Sequence, residues 1–119
     1  MEEKHNVVDD CLVITLPEEL DQHVTERIRA DIDEIILKKR IRYIIMDFKE
    51  QNFMDSSGIG FIMGRYKKIA NYGGKIYVTN LGRSLERIFH ISGLYRITTP
   101  VDSVEEAMAE TVYNDKVEN

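Results

Sequence analysis

Apolar residues recur along this chain in two rhythms, and the alternation between them lays out the fold. Val7-Val8 and Leu12 to Leu16 read as two short strands around Asp9-Asp10, a hairpin. From Gln22 to Lys39 the spacing turns helical, with Val24, Ile28, Ile32, Ile35 and Ile36 on one side and charged residues between them. Asp21 stands just before that run, where a carboxylate can cap free backbone N–H groups. Tyr43 to Phe48 is unbroken enough in apolar character for a central strand covered on both faces. A second helix is expected from near Ser57 to about Asn71, closed by Tyr72-Gly73-Gly74, and Lys75 to Thr79 makes the next strand. A third helix, roughly Arg83 to Ser92, turns Leu85, Ile88 and Phe89 inward and stops at Gly93. Arg96 to Thr99 reads as a short edge strand. Asp102-Ser103-Val104-Glu105 then looks like a capping box opening a last helix, with Val104, Ala107, Met108 and Val112 inward. The order ββαβαβαβα predicts an α/β domain with a mixed sheet, parallel in its later part, and about four helices.

Size and charge narrow what such a domain does. With 119 residues, one domain spanning 1–119, ordered from about 5 to 115, is expected. No run of about 18 apolar residues is present, and Met1 to His5 is polar and acidic, so neither a membrane span nor a secretory signal is expected. Cys11 is the single cysteine, which permits no internal disulfide, and no metal-ligand spacing occurs. A cytoplasmic protein without cofactor or metal is the simplest reading. The net charge of -5 argues against nucleic acid as a partner, because binding phosphates needs a basic surface. The basic run Arg65 to Lys68 is short and reads as a solvated helix face.

The chemistry concentrates in residues 52–60, Asn-Phe-Met-Asp-Ser-Ser-Gly-Ile-Gly, where a strand-like run gives way to the second helix. At 100° per residue, Ile59, Ile62, Met63, Tyr66, Ile69 and Ala70 fall on one face, expected to pack on the sheet. Ser57, Gly60, Gly64 and Asn71 form a neighbouring stripe of small residues. Phe61, Arg65, Lys68 and Tyr72 fall on the outer side. Two interior glycines four apart each cost the helix about 1 kcal/mol relative to alanine. Either they permit close packing within the domain or they leave room for a partner near the helix start. Phe61, one turn from Ser57 on the expected outer side, favours a docking surface.

Three chemistries compete for the serines. A nucleophilic serine needs a base and an oxyanion hole, yet the stretch is not a G-x-S-x-G elbow, and His5, His23 and His90 are placed as tail or surface residues. A phosphate cradle would use N–H groups at the helix start, but neither a Walker pattern nor G-x-G-x-x-G is present and Asp55 would repel the anion. The third possibility is that Ser56 or Ser57 is itself phosphorylated, since a helix start tolerates added negative charge while a close interface does not. Against this stands plain helix capping by both serines. The residues alone leave capping and switching open.

Phe53-Met54-Asp55-Ser56-Ser57-Gly58-Ile59-Gly60, continued by Met63-Gly64-Arg65-Tyr66-Lys67-Lys68, resembles the signature of anti-sigma factor antagonists with the STAS fold. Glu19-Leu20-Asp21, Gly73-Gly74 and Ile91-Ser92-Gly93-Leu94 extend the resemblance over nearly the whole chain. Its Gly-Arg-Tyr-Lys continuation is most similar to the sporulation antagonist, with the general stress-response antagonist next. The resemblance implies a protein that is not an enzyme. Its unphosphorylated form would bind an anti-sigma factor that is also a serine kinase, and so release the sigma factor. Phosphorylation of Ser56 by that kinase would end binding, and a serine phosphatase would restore it. It also implies a partner-binding face of Asp21, Asp55, Ser56, Ser57, Gly58, Gly60, Phe61 and Gly64, with Asp21 near Ser56, and no membrane or nucleic-acid partner. The family usually has glycine where this chain has Glu18, which is expected to change the local turn and add charge beside the interface. The competing class is a STAS module that binds a nucleotide or acts as a scaffold.

Overall fold

The computed structural model describes residues 4–118. Strands β1 (Lys4–Val8) and β2 (Cys11–Thr15) form the expected antiparallel hairpin. A two-residue strand β3 (Glu19–Leu20) leads into α1 (Gln22–Lys38), and β4 (Tyr43–Asp47) follows. A second short strand, β5 (Phe53–Met54), leads into α2 (Ser56–Ala70). The chain then runs through β6 (Lys75–Thr79), α3 (Arg83–Ser92), β7 (Thr98–Pro100) and α4 (Val104–Glu118). The main sheet has the order β1-β2-β4-β6-β7 and is parallel from β2 onward. This is the mixed α/β architecture that the alternation of rhythms predicts.

Strand alternation sorts the core into two layers. Leu12, Ile14, Ile44, Met46, Ile76 and Val78 face the layer that holds Ile28 and Ile32 of α1, Ile62 and Ile69 of α2, and Leu85 and Phe89 of α3. Cys11, Tyr43, Ile45 and Tyr77 face the other way, toward Ala107 of α4. All five residues of β4 are buried, which is why its sequence shows no polar alternation. Gly93 takes the left-handed conformation (φ 83°) that ends α3, as its type predicts.

Three local expectations are corrected. Leu94–Arg96 is a single 3-10 turn, fixed in part by the bond that Thr98 Oγ1 donates to Leu94 O (2.8 Å), so β7 begins later than Arg96. The capping box of α4 is built by Ser103 and Glu106: Glu106 N–H donates to Ser103 Oγ (3.0 Å) and Asp102 N–H to Glu106 Oε2 (3.2 Å). Val112 is 53% exposed and Thr111 is buried in its place. Val112 lies about 80° round the helix from Val104, beyond the edge of the buried stripe.

Candidate functional site

Two short parallel strands build the site. The register pairs Glu19 with Phe53 and Leu20 with Met54, so the next residues, Asp21 and Asp55, begin α1 and α2 side by side. Each aspartate caps its own helix. Val24 N–H donates to Asp21 Oδ1 (3.0 Å), and Ser57 N–H donates to Asp55 Oδ1 (2.8 Å). A side-chain carboxylate cap satisfies backbone N–H groups the helix cannot pair internally. Ser57 is therefore not the cap: Asp55 is, because the β3–β5 pairing keeps the chain extended through Met54. Ser56 becomes the first residue of α2. It is exposed, and its hydroxyl has no hydrogen bond among the described residues.

Glu18 reinforces this seam. Asn52 N–H donates to Glu18 O (2.9 Å) and Asn52 Nδ2 to Glu18 Oε1 (3.4 Å). Glu18 does not have the positive φ that would favour glycine, so its backbone accommodates the side chain without strain.

The faces of α2 differ from those that a sheet-only packing predicts. Phe61, expected on the outside as part of the docking face, is 4% exposed and belongs to the main core. Arg65, also expected outside, is 4% exposed, lies 4.9 Å over the Phe61 ring and ion-pairs with Asp33 of α1 (Nε to Oδ1, 2.8 Å). Burial pushes Arg65 below its ordinary pKa, while Asp33 holds it up. Helix α2 packs on α1 as well as on the sheet, which widens its buried face to include both residues. Met63, expected inward, is 44% exposed. Ser56, Gly60, Met63 and Lys67 then share one exposed stripe at helical spacing.

The glycines separate by surroundings. A Cβ on Gly58 would clash with Met54 Cγ and sit 3.1 Å from Leu20 O, so Gly58 lets α2 start against the β3–β5 seam. A Cβ on Gly60 or Gly64 would meet nothing within 4 Å. Close packing within the domain therefore does not explain these two. Sequence reasoning missed Met63 and Phe53, which is 47% exposed and precedes Asp55 by two residues. The signal for Met63 was its place seven residues after Ser56 and three after Gly60.

No histidine hydrogen-bonds to either serine among the described residues, and no three His, Cys, Asp or Glu side chains there come together as a metal site. No described helix is long and apolar enough to cross a membrane. The larger cleft, about 940 Å³ and lined by Leu37, Arg40, Arg42, Lys67 and Tyr72 among others, lies at the far ends of α1 and α2 from Ser56.

The STAS domain profile matches residues 3–107. The chain belongs to the STAS family of anti-sigma factor antagonists. It is 36% identical over 99 residues to the anti-sigma F factor antagonist of Paenibacillus polymyxa, covering 83% of this chain and 85% of that one. Its identity to the anti-sigma F factor antagonist of Lysinibacillus sphaericus is 35% over 88 residues, 74% of this chain and 75% of the relative. Among solved structures, the anti-sigma factor antagonist SpoIIAA in its unphosphorylated form superposes with a TM-score of 0.82 at 32% identity, over 92% of this chain and 95% of that one. The Bacillus cell fate determinant SpoIIAA in its phosphorylated form gives 0.74, also at 32% identity, over 92% and 98%. Family membership thus agrees with what the Met-Asp-Ser-Ser-Gly stretch implies about fold.

Proposed function

We propose that this protein works by partner switching: unphosphorylated, it binds an anti-sigma factor serine kinase and releases the sigma factor, and phosphorylation of Ser56 switches binding off. In that step the γ-phosphoryl group of ATP passes to Ser56 Oγ, the bond to the β-phosphate oxygen breaks, ADP leaves and the hydroxyl proton is released. A serine phosphatase reverses the state by hydrolysis. The observation that carries the reading is Ser56 itself, exposed at the first position of a capped helix, its hydroxyl without a hydrogen bond among the described residues. A relative known in both phosphorylated and unphosphorylated forms shares this fold, and relatives named for the F-type antagonist support the sporulation type. The contact face is Asp21, Asp55, Ser56, Ser57, Gly60 and Gly64, with exposed Phe53 and Met63 as its apolar anchors in place of Phe61; Gly58, also expected on this face, is buried against the β3–β5 seam and drops out of it. A hundredfold loss of affinity needs only about 2.7 kcal/mol. A phosphate carrying about -1.5 to -2 charge, forced against a desolvated surface between Asp21 and Asp55, supplies it.

Incubation with the cognate anti-sigma kinase and Mg-ATP is expected to add one phosphate, at Ser56, and none to Ser56→Ala. Ser56→Ala should bind the kinase as the unmodified chain does, and Ser56→Asp should bind poorly. Label that persists on Ser56→Ala, or equal affinities for the two variants, would overturn the proposal.

A further inference from the structure

A second, smaller cleft of about 460 Å³ opens at the carboxyl ends of β6 and β7. Carboxyl ends of parallel strands are where open α/β sheets commonly hold ligands. Helix α2 starts from this same edge of the sheet, because β4, α2 and β6 form one crossover. The cleft is lined by Thr79, Asn80, Glu86, Tyr95 and Asp102 with apolar residues between them, and among the described residues no Lys, Arg or His lines it.

Three elements send acceptors to it. Glu86 comes from α3 and Asp102 from the turn before α4; neither carboxylate has an ion-pair partner among the described residues. Each carboxylate alone would suit a helix start. A helix start does not account for Thr79, which is 1% exposed and whose Oγ1 is buried without a hydrogen-bond partner among the described residues. Leaving such a group unpaired is costly, and native structures seldom do so. Asn80 donates its amide to Asp47 Oδ1 (2.9 Å), which leaves its side-chain oxygen as an acceptor. Burial and the neighbouring Glu86 both push the Tyr95 hydroxyl above its ordinary pKa, so it stays protonated beside that carboxylate. Acceptors gathered in one pocket without a cation call for a donor-rich positive group.

We propose that this cleft receives one arginine or lysine side chain from the protein partner, seated between the Glu86 and Asp102 carboxylates with an N–H directed at Thr79 Oγ1. The source of the side chain rests on the partner-switching reading; the chemistry of the cleft does not. The test is a two-dimensional amide NMR titration of the full chain with N-acetyl-arginine amide. N-acetyl-citrulline amide serves as the uncharged isostere and putrescine as a free diamine. Saturable shifts are expected at Asn80, Leu81, Glu86 and Asp102, with citrulline amide at least tenfold weaker. Glu86→Gln and Asp102→Asn should each weaken binding about two- to fivefold, as solvent-facing ion pairs do. Thr79→Val should weaken it about tenfold while leaving the melting temperature unchanged or higher. Shifts that do not saturate, or equal binding of citrulline amide, would overturn the site. Tighter binding of putrescine than of arginine amide would overturn the partner side chain as its occupant. None of these titrations involves the kinase, so a failure at Ser56 and a failure of the cleft are read separately.

Discussion

Alanine at each of the three glycines of α2 should have opposite effects on stability, and the sign follows from what a Cβ would meet. At Gly60 and Gly64 a Cβ finds open space, so alanine acts only on the backbone. Each substitution should stabilise the chain by about 0.5–1 kcal/mol, which raises the melting temperature by roughly 2–5 °C for a domain of this size. At Gly58 the same helix gain is opposed by a clash with Met54 Cγ and contacts at 2.8 Å to Met54 Sδ and 3.1 Å to Leu20 O. Met54 is 5% exposed and held in β5, so it cannot swing into solvent. Overpacking of this kind costs about 1–3 kcal/mol, and the net should be a loss of about 1–2 kcal/mol. Thermal and urea unfolding followed by circular dichroism measure all three. A Gly58→Ala chain as stable as Gly60→Ala would show that the β3–β5 seam yields freely. A Gly60→Ala chain that melts lower would mean the exposed stripe is packed, and the docking argument would fall with it.

Arg40 follows α1 with φ 53° while Ile41 N–H donates back to Ile36 O (3.0 Å), a helix ending that favours glycine. Arg40→Gly should therefore raise stability by about 0.5–1 kcal/mol in urea unfolding, and no gain would mean Arg40 makes compensating contacts. Asp33→Ala leaves Arg65, 4% exposed, without its carboxylate and should cost about 2–4 kcal/mol; a loss below 1 kcal/mol in the same assay would show that the Phe61 ring and solvent suffice. Burial first, then the Asp115 charge, raises the Asp10 carboxyl above its ordinary pKa, against the pull of Arg42. Its stabilising contribution is thus present in acid and lost as pH rises through the folded pKa. Asp10→Asn should melt higher than the parent at pH 7, with the advantage gone below about pH 4; an equal difference at both pH values would refute the linkage.

What the sequence made legible was whatever one element determines alone. Tyr43 to Phe48 announced a strand buried on both faces, Asp21 announced a cap and Gly93 an ending, and all three stand. The failures are places where two elements meet. Phe61 and Arg65 read as outer because helical periodicity defines one apolar stripe, and nothing in it says that α1 covers a second side. Both serines read as possible caps because Asp55, Ser56 and Ser57 are all capping residue types. The choice among them is made by the β3–β5 pairing, and strands of two residues are too short to show a period. Of the expected face, the juxtaposition of Asp21 with Asp55 and Ser56 could be inferred only from the resemblance, since it depends on that same pairing. The exposure of Met63 follows from the rotation of α2 that Phe61 and Arg65 impose.

On the proposed mechanism, that rotation explains why the switch can be local. A phosphate on Ser56 sits at the positive end of α2, where an anion stabilises the helix by roughly 0.3–1 kcal/mol. The nearby carboxylates of Asp21 and Asp55 oppose it in water, where two unit charges 4 Å apart interact by only about 1 kcal/mol. Inside the free protein these terms nearly cancel, in keeping with a relative whose two phosphorylation states both share this fold. A bound partner changes the balance. The absence of side chains at Gly60 and Gly64 lets a partner approach the helix closely, as phosphoryl transfer to Ser56 Oγ requires. That same approach excludes the water that screened Asp21, Asp55 and the phosphate from one another. On this proposal, the glycine stripe that would make Ser56 a good substrate is also what would make the phosphorylated product a poor ligand.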